Sequence, residues 1–548
     1  MNKKLLWILL FGIIILASVL RLWQLGKIPP SPDWDEAALG YDTYSIIHTG
    51  RDEFGKFLPV VLRSFDDYKP ALYAYLAIPS VVISGLTVFA VRFPSAVMGI
   101  IAVLAVFLLI REFFENYKYK DQLSLTVSFL FAISPWSIQF SRLGFESNVG
   151  DAFNILMTLF FLKGLKKSRF FYLSVFFAGL NVYVYQSEKV FTPLLLLALV
   201  LIYRKKIFAL SKKYLLSIII LGLIVVAPMI VYILGNREAL LRVTGTSVFS
   251  YQTELLKTNI QRLEQDKGNN DIFGLLLDNR RVVYAYAIAS GYLSHFGFNW
   301  LFITGDISRH HAPGVGLLYL FEFPFILIGI YQLIFGDFEK KTKFAVLAWF
   351  LLAPLPASIT TGVPHAVRTL NFLPVFQIFS ALGILSAFIF ISKYKKMKLF
   401  FYLVFIAVFI LNVVYYLDQY FVQLNYYTSQ DWQYGYKQAV DEVVLLRDKY
   451  SQIVISDAQP LDKSYMFFLF YLKYPPSDYQ KIGEISSGSF VSHHSFGKYV
   501  FRPIDWQKDS FRKNILYVGS PGEIPKGVTP LKTIDNLDGT PAIEIVGT

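Results

Sequence analysis

Two uncharged stretches decide the fold class: residues 5–20 (LLWILLFGIIILASVL) and residues 215–234 (LLSIIILGLIVVAPMIVYIL). An apolar run that approaches or exceeds about 18 residues is long enough to cross a bilayer as a helix. Similar blocks recur along the 548 residues, of which 55% are hydrophobic and 17% are charged. A soluble chain carries roughly a quarter charged residues. The sequence therefore predicts a polytopic α-helical membrane protein.

The net charge of +13 would also suit nucleic-acid binding, but the lysines and arginines lie in short runs between apolar blocks. Such runs mark the cytoplasmic loops of membrane proteins. We assign to the cytoplasm the runs 2–4, 111–120, 163–169, 204–213, 340–343 and 393–398. This assignment predicts about eleven spans, a cytoplasmic N-terminus and a helix at 71–86 that does not cross. We expect a multi-pass protein of the cell inner or plasma membrane that binds no nucleic acid.

The same orientation defines the domain organisation. Residues 1–417 form the predicted transmembrane module, with long outer loops at 26–90 and 235–314. After Tyr416, a helical pattern and three short β-branched runs, 453–456, 515–518 and 543–546, predict a small extracytoplasmic α/β domain over residues 418–548. Nearly all unusual polar residues fall in the outer loops, so the chemistry is predicted on the extracytoplasmic side. The absence of cysteine excludes disulfides, thiolate metal sites and a cysteine nucleophile.

The first outer loop opens with Pro32-Asp33-Trp34-Asp35-Glu36. Acidic residues at a helix start are favoured by the helix dipole, so Asp33 or Asp35 could simply cap a helix. A carboxylate beside Trp34 at the membrane surface could equally have a raised pKa and act as a general base. The residues alone leave both readings open.

Later in this loop, Asp66 and Asp67 precede Lys69. Two carboxylates beside an ammonium can hold a divalent cation and a phosphate together, whereas the alternative is a solvated turn before Pro70. In the next outer loop, Glu146 could pair with Arg142 four residues earlier or face the acids of the first loop.

Two outer-loop motifs lie close to later spans. Adjacent histidines point in different directions, so we expect only one of the pair His310-His311 to join a carboxylate in a metal site. Arg368 ends another outer loop, where its guanidinium could bind a phosphate through two oxygens or extend towards lipid headgroups.

These motifs together resemble the GT-C glycosyltransferases. The similarity is carried by Arg21…Gly26…Pro29, Asp35-Glu36-Ala37…Gly40, Gly50…Pro59, Asp67-Tyr68-Lys69-Pro70 and Gly85…Arg92-Phe93-Pro94-Ser95. It extends over roughly residues 5–390 and is specific only in the first loop. It looks closest to the branch of dolichyl-phosphate-mannose protein mannosyltransferases and the lipid A aminoarabinose transferase.

The resemblance implies a GT-C fold, a polyprenyl-phosphate-sugar donor and catalytic roles for Asp35, Glu36 and Glu146, with Asp35 as the base. It also implies donor-phosphate binding by Lys69, Arg368 and His311, the last at a basic position of the family. A divalent metal (Mg, Mn or Zn) is the candidate cofactor, with Asp67 and His310 as ligands. Tyr68 stands where the aminoarabinose branch has Glu, so the acidic ligand in this chain would be Asp67, one position before that Glu.

We therefore expect an inverting membrane glycosyltransferase that moves a sugar from a polyprenyl-phosphate donor to a protein, lipid or glycan acceptor. A transporter or lipid-linked glycan flippase is the alternative. Transport requires polar residues near the bilayer midplane, and the predicted spans carry few, chiefly Asn154, Asn181 and Glu322. Within enzymes, a polymerase that joins whole glycans is the other reading.

Overall fold

The computed structural model describes residues 1–65, 67–236, 247–250, 254–482 and 494–548. Asp66 and part of the predicted outer loop 235–314 lie outside these ranges. The first helices are α1 (Lys3–Leu22), α2 (Trp34–Thr49), α3 (Leu72–Ser84), α4 (Val88–Phe113), α5 (Lys120–Ile133), α6 (Pro135–Ser141), α7 (Glu146–Gly164), α8 (Phe170–Asn181), α9 (Glu188–Ile202), α10 (Arg204–Ile207) and α11 (Lys212–Gly235).

The later α-helices cover Glu254–Gly268, Ile272–Leu277, Arg280–Ser294, Glu322–Phe335, Lys340–Leu352, Leu355–Ser358, Val375–Ile391, Lys395–Asp418, Leu424–Thr428, Tyr436–Leu446, Ser464–Leu472, Pro476–Gln480 and Trp506–Asp509. Short 3-10 or π turns cover Asn299–Thr304, Leu370–Phe372, Gln419–Gln423, Ser429–Trp432 and Arg447–Lys449.

The strands form two sheets. They are β1 (Val61–Ser64), β2 (Asp67–Pro70), β3 (Gln452–Ile455), β4 (Ser495–Phe496), β5 (Tyr499–Phe501), β6 (Ile515–Gly519), β7 (Lys532–Asp535) and β8 (Pro541–Gly547). Strands β1 and β2 make an antiparallel hairpin, and the others form one sheet in the order β4-β5-β3-β6-β8-β7. Strand β3 runs parallel to β5 and β6. The three β-branched runs predicted as strands coincide with β3, β6 and β8, except that β3 ends at Ile455, one residue before the predicted run does.

Several helices are long and apolar enough to cross a membrane, which makes the chain a multi-pass membrane protein. Within the described ranges there are five, or six if the bent pair α5 and α6 forms one span with a 56° break. The five are Lys3–Leu22, Val88–Phe113, Lys212–Gly235, Leu370–Ile391 and Lys396–Trp432. Other apolar helices, including α3, are shorter than the roughly 20 residues that a span requires. The count of eleven therefore stays a prediction.

The chain divides into two compact units. Unit 1 comprises residues 1–17, 99–138 and 147–413, and unit 2 comprises 18–98, 139–146 and 414–548. The C-terminal segment thus groups with the first loop, and the predicted 1–417 module is shared between both units.

In unit 1, two apolar helices pack with their backbones in direct contact. A Cβ on Gly329 of helix Glu322–Phe335 would lie 1.8 Å from the Phe379 carbonyl oxygen. A Cβ on Gly383 of helix Val375–Ile391 would lie 1.9 Å from the Phe325 carbonyl oxygen. Small residues allow this close approach, which is how helices associate in lipid without a hydrophobic driving force.

In unit 2, helix α2 is fixed against the C-terminal segment. Its Gly40 lies so close to Phe470 and Val91 that a Cβ would be 2.7 Å from each side chain. In the same core as Phe470, the rings of Tyr436 and Phe467 stack at 4.3 Å. The buried apolar core that includes these residues continues into the sheet and holds α2, with its acidic start, in one place.

Candidate active site

The start of α2 shows which of the first-loop acids caps the helix. The Asp33 side chain accepts a hydrogen bond from the Asp35 amide (2.9 Å), and Glu36 Oε2 accepts one from the Asp33 amide (3.0 Å). These reciprocal bonds form a capping box, which satisfies amide groups left open at a helix N-terminus. The helix ends at Gly50 in the left-handed conformation (φ 68°). Capping is therefore carried out by Asp33 and Glu36, not by the Asp35 carboxylate.

The Asp35 side chain is paired with Lys69. The Lys69 ammonium donates a hydrogen bond to Asp35 Oδ1 and lies almost buried, with 8% of its side chain exposed against 34% for Asp35. The β1–β2 hairpin positions Lys69, which lies opposite Leu62 in the ladder. A carboxylate and a cation of the predicted site thus meet at a point that solvent can reach.

Glu36 has a different environment from its neighbour. Both it and Arg92 have side chains with 0% exposure, and Arg92 donates to Glu36 Oε1 (2.8 Å) and Oε2 (2.9 Å). The Gly144 amide also donates to Oε1, at 2.7 Å. Arg92 donates further bonds to backbone carbonyls of the first loop, those of Leu25, Pro29 and Ser31. Both carboxylate oxygens of Glu36 are therefore used to hold the loops of unit 2 together.

The second outer loop brings Glu146 into the same unit. Glu146 begins α7 with 7% exposure, and its charge and that of Glu36 both act on the Tyr73 hydroxyl. Arg142 donates to the Leu20 and Ile28 carbonyls (2.9 and 3.0 Å). This arginine therefore anchors the first loop.

Asp67 lies at the tight end of the β1–β2 hairpin, opposite Ser64. Its Oδ1 accepts a hydrogen bond from the following amide, that of Tyr68, at 2.8 Å. The other carboxylate of the predicted pair, Asp66, is outside the described residues.

Sequence reasoning missed a buried acidic cluster in unit 2. Asp42, Asp52 and Glu53 each have 1% exposure, and Asp42 Oδ1 accepts a hydrogen bond from the Glu53 amide (3.0 Å). Burial and the charge of Asp52 raise the pKa of Asp42 well above its usual value. Burial and the charge of Asp42 do the same to the pKa of Glu53. The available signal was spacing, since Asp42 lies two helical turns after Asp35.

In unit 1, His310 joins two residues that sequence reasoning did not select. Its Nδ1 lies 2.8 Å from Asp306 Oδ2, and its ring centroid is 5.2 Å from that of His365. One ligand atom from each of these three residues lies within 4.8 Å of the others. Within the described part of the chain this is the single group of three such residues with that geometry, and Asp67 is not a member.

The electrostatics of this group suit a metal ion. Burial lowers the pKa of His310, and burial with the Arg368 charge lowers that of His365 well below its usual value, so both imidazoles are neutral at pH 7. Burial raises the pKa of Asp306, but the hydrogen bonds from His310 and from the Ala366 amide, together with the adjacent histidines, outweigh burial and hold that pKa at about 2. Neutral imidazoles and an ionised carboxylate are the forms that bind metals.

Arg368 lines a small cavity of unit 1. It donates to Thr360 Oγ1 (2.6 Å) and to the Thr361 carbonyl (2.8 Å). The cavity, of about 180 Å³, is also lined by Lys189 and the polar segment 185–187. Two cations on one cavity form an environment for an anion, as the phosphate prediction requires.

His311, also predicted to bind phosphate, contacts backbone. Its Nδ1 lies 2.8 Å from the Ala312 carbonyl oxygen and 3.0 Å from that of Val315. The ring packs over Gly305 (φ 66°), where a Cβ would be 2.5 Å from the imidazole. His311 Nδ1 therefore interacts with backbone carbonyls of its own loop.

The polar residues of the apolar helices contact one another. Asn154 donates to Glu188 Oε2 (2.6 Å) and Asn371 Oδ1 (2.8 Å), and accepts from Asn181 (2.9 Å). Glu322 accepts from Ser380 at 2.7 Å. Such bonds join helices within a membrane protein.

Comparisons with known proteins agree with the predicted resemblance. Residues 68–232 match the family model described as dolichyl-phosphate-mannose-protein mannosyltransferase. No curated protein matches the chain.

Two crystal structures of ArnT from Cupriavidus metallidurans share the fold over 99% of this chain and 98% of theirs, at 11% identity. Their TM-scores are 0.55 for the apo state and 0.54 with bound undecaprenyl phosphate. The oligosaccharyltransferase of Archaeoglobus fulgidus gives a TM-score of 0.47 at 15% identity, over 86% of this chain, which spans only 64% of that longer protein.

The family match and the ArnT fold confirm the resemblance to GT-C glycosyltransferases. They define the class of the chain, a multi-pass membrane protein with this fold.

Proposed function

We propose that the protein is a membrane glycosyltransferase that moves a sugar from a polyprenyl-phosphate donor to a hydroxyl group of a protein, lipid or glycan on the outer face of the membrane. The Asp35–Lys69 pair carries the proposal, because it joins a base and a phosphate-binding cation at one accessible point. The family match and the fold support it. One of the ArnT crystal structures contains bound undecaprenyl phosphate, which is a polyprenyl phosphate.

The depth of the pair suits this donor. A polyprenyl tail stays in the hydrocarbon while its phosphate lies at the level of the headgroups, so the reacting groups must be close to the membrane surface. Asp35 follows α1, a candidate span, after a short loop, and Arg92 ties that loop to the start of α4, another candidate span.

The chain's own residues account for the transfer step. The acceptor oxygen attacks the anomeric carbon as the bond from that carbon to the phosphate oxygen breaks, which inverts the configuration. Asp35 takes the acceptor's hydroxyl proton, and the electron pair of the broken bond remains on the leaving phosphate beside Lys69. A positioned general base contributes about 10²–10⁴-fold to the rate, and a cation at the developing charge stabilises the transition state.

The ion pair also gives an order of events. In the structure, the Lys69 ammonium is held by Asp35. When the donor phosphate arrives, it competes for the same ammonium, and the Asp35 oxygen becomes available to the acceptor. Lys69 thus pairs first with the base and then with the phosphate.

The other predicted acids take separate roles in this proposal. Glu36 positions the start of α2 through Asp33 and Arg92, and does not exchange protons with substrate. Glu146 serves as the second carboxylate near the reacting sugar. Arg368 is a phosphate ligand in this proposal because it lines a small cavity that also contains a second cation. The Nδ1 contacts of His311 instead favour a structural role.

Asp306, His310 and His365 fit a divalent metal. Two imidazoles and one carboxylate favour Zn²⁺ over Mg²⁺, which prefers oxygen ligands. When bound, such an ion would act as a Lewis acid on an oxygen ligand.

The experiment that tests the function incubates membranes containing the protein with a panel of labelled polyprenyl-phosphate sugars. We expect label from one monosaccharide donor to move onto an acceptor, which is then identified. Transfer only from lipid-linked oligosaccharides would indicate a polymerase that joins whole glycans. No transfer, with ion flux in liposomes that is lost in Glu322→Gln, would overturn the proposal in favour of transport.

A further inference from the structure

A second cavity, in unit 2, lies apart from the Asp35–Lys69 pair. It has a volume of about 710 Å³, which is in the range of cavities that hold small-molecule ligands. Its walls come from the end of α1, the turn between α3 and α4, and the helices Tyr436–Leu446 and Ser464–Leu472. None of its residues takes part in the proposed transfer chemistry.

The cavity has an apolar lining with cations at its edge. Leu25, Leu86 and Phe470 are buried and line it, together with the exposed lysines Lys27 and Lys473. A third lysine on its wall, Lys437, is paired with Asp441 at 2.7 Å. Within the described ranges, no ion pair is formed by Lys27 or Lys473, so the cavity carries an uncompensated positive charge.

The geometry of the backbone holds these lysines at the cavity. The Asn425 side chain donates to the Lys27 carbonyl at 2.9 Å, which ties the segment after α1 to the C-terminal part of the chain. The Lys473 ammonium lies beside Gly85, 3.8 Å from where a Cβ would stand. Gly85 has a φ of 69°, a conformation that glycine adopts readily, and it forms the α3–α4 turn.

The surroundings of the cavity are those of a membrane interface. α1 ends and α4 begins at its wall, and both helices are candidate spans. Phe89 (38% exposed) lines the cavity, and the exposed apolar residues Trp23 (60%), Val82 (63%) and Ile83 (83%) lie within a few positions of its lining residues in the sequence. Exposed aliphatic groups contact lipid tails, and tryptophan is enriched at headgroup depth.

We propose that this cavity binds the phosphate-bearing head of an anionic membrane phospholipid. Lys27 and Lys473 contact the phosphate, and the apolar lining holds the adjoining glycerol and upper acyl chains. Both components of the ligand are needed, because the charge selects a phosphate and the exposed apolar rim selects an amphiphile. The inference rests on the membrane embedding of α1 and α4 and not on the transferase proposal.

The test measures binding of labelled phosphatidylglycerol to the full-length protein, purified in a neutral detergent. The variants are Lys27→Gln/Lys473→Gln and, as matched control, Lys513→Gln/Lys526→Gln, which changes two exposed lysines of unit 2 outside the cavity. Loss of two lysines near a headgroup is expected to weaken binding roughly 30-fold. The control and Lys27→Arg/Lys473→Arg should bind as the wild type does.

Competition separates the possible sources of the phosphate. Phosphatidylcholine and inorganic phosphate should each displace the labelled lipid poorly, since the first lacks net charge and the second lacks the apolar part. Full displacement by millimolar inorganic phosphate would overturn the lipid assignment. Equal binding by the wild type and the glutamine variant would overturn the site. Asp35→Asn should bind lipid normally, so a failed transferase proposal would leave this result unchanged.

Discussion

Glu36 and Arg92 form an ion pair that is completely buried, with two N–H···O bonds of 2.8 and 2.9 Å. The preceding residue, Asp35, is instead 34% exposed and pairs with the nearly buried Lys69 ammonium on a separate hairpin. Two consecutive acids therefore have opposite environments. Glu36 has a structural role, whereas Asp35 is available to react with a substrate.

Breaking the buried pair should destabilise the protein. Glu36→Gln leaves the Arg92 charge without its partner, and removal of one member of such a pair reduces the free energy of unfolding by about 3–5 kcal/mol. Thermal unfolding of the purified protein measures this. Arg92→Met should have a comparable effect, and the double variant should lose less than the sum of the two. Single variants as stable as the wild type would contradict the structural role of Glu36.

The pH dependence of stability should report the buried acidic cluster. The pKa of Glu53 and that of Asp42 are raised by folding, so their contribution to stability is fully present below the unfolded pKa and is lost as pH rises through the folded pKa. Glu53→Gln removes this loss. We expect it to raise the melting temperature at about pH 8 and to change it little at about pH 4.

A matched control for this prediction is Asp448→Asn, which changes a carboxylate with an 88% exposed side chain. Its melting temperature should follow that of the wild type throughout. A Glu53→Gln variant that is destabilised at about pH 8 would show that the Glu53 charge is compensated in the folded protein.

Metal content should depend on three residues from two loops. Purified protein equilibrated with Zn²⁺ and desalted should retain about one ion per chain, and Asp306→Asn, His310→Gln or His365→Gln should lose it. His311→Gln should retain the ion, because this neighbour is not part of the group. Elemental analysis provides the measurement. Equal zinc in all four variants, or none in the wild type, would contradict the assignment.

Loss of Glu146 should affect catalysis more than loss of Glu53. Both carboxylates are nearly buried in unit 2, but only Glu146 lies at the second acidic position of the proposed site. We expect Glu146→Gln to lower the rate of sugar transfer by about 10²-fold or more, whereas Glu53→Gln retains most of the rate. Equal losses would show that the correspondence with the family's acidic position is wrong.

Hydropathy predicted the class of protein because a span is a local property of about 20 residues. The resemblance to the family also rests on short local motifs. Two of these motifs, both in the first loop, are joined in the structure by the Asp35–Lys69 ion pair. The span count is harder to predict. A helix break such as the 56° bend before Pro135 depends on packing that hydropathy does not report.

The partners of Glu36 and of His310 could not be predicted from such local patterns. Arg92 lies 56 positions after Glu36, and in the sequence it stands out only as one residue of a family motif, with no indication of its partner. His365 and His310 come from separate loops, and no sequence motif pairs them. Such contacts are set by how helices pack, whereas the periodicity of a sequence reports only which side of an element is apolar.

The proposed role of Asp35 is that of the base in a polyprenyl-phosphate-dependent sugar transfer. Its most direct test compares wild-type and Asp35→Asn membranes, matched for protein amount, in the transfer of labelled sugar from a polyprenyl-phosphate donor. We predict that the wild type transfers the label and that Asp35→Asn, folded and expressed normally, loses about 10²–10⁴-fold of the rate. Transfer by Asp35→Asn at the wild-type rate would contradict the account.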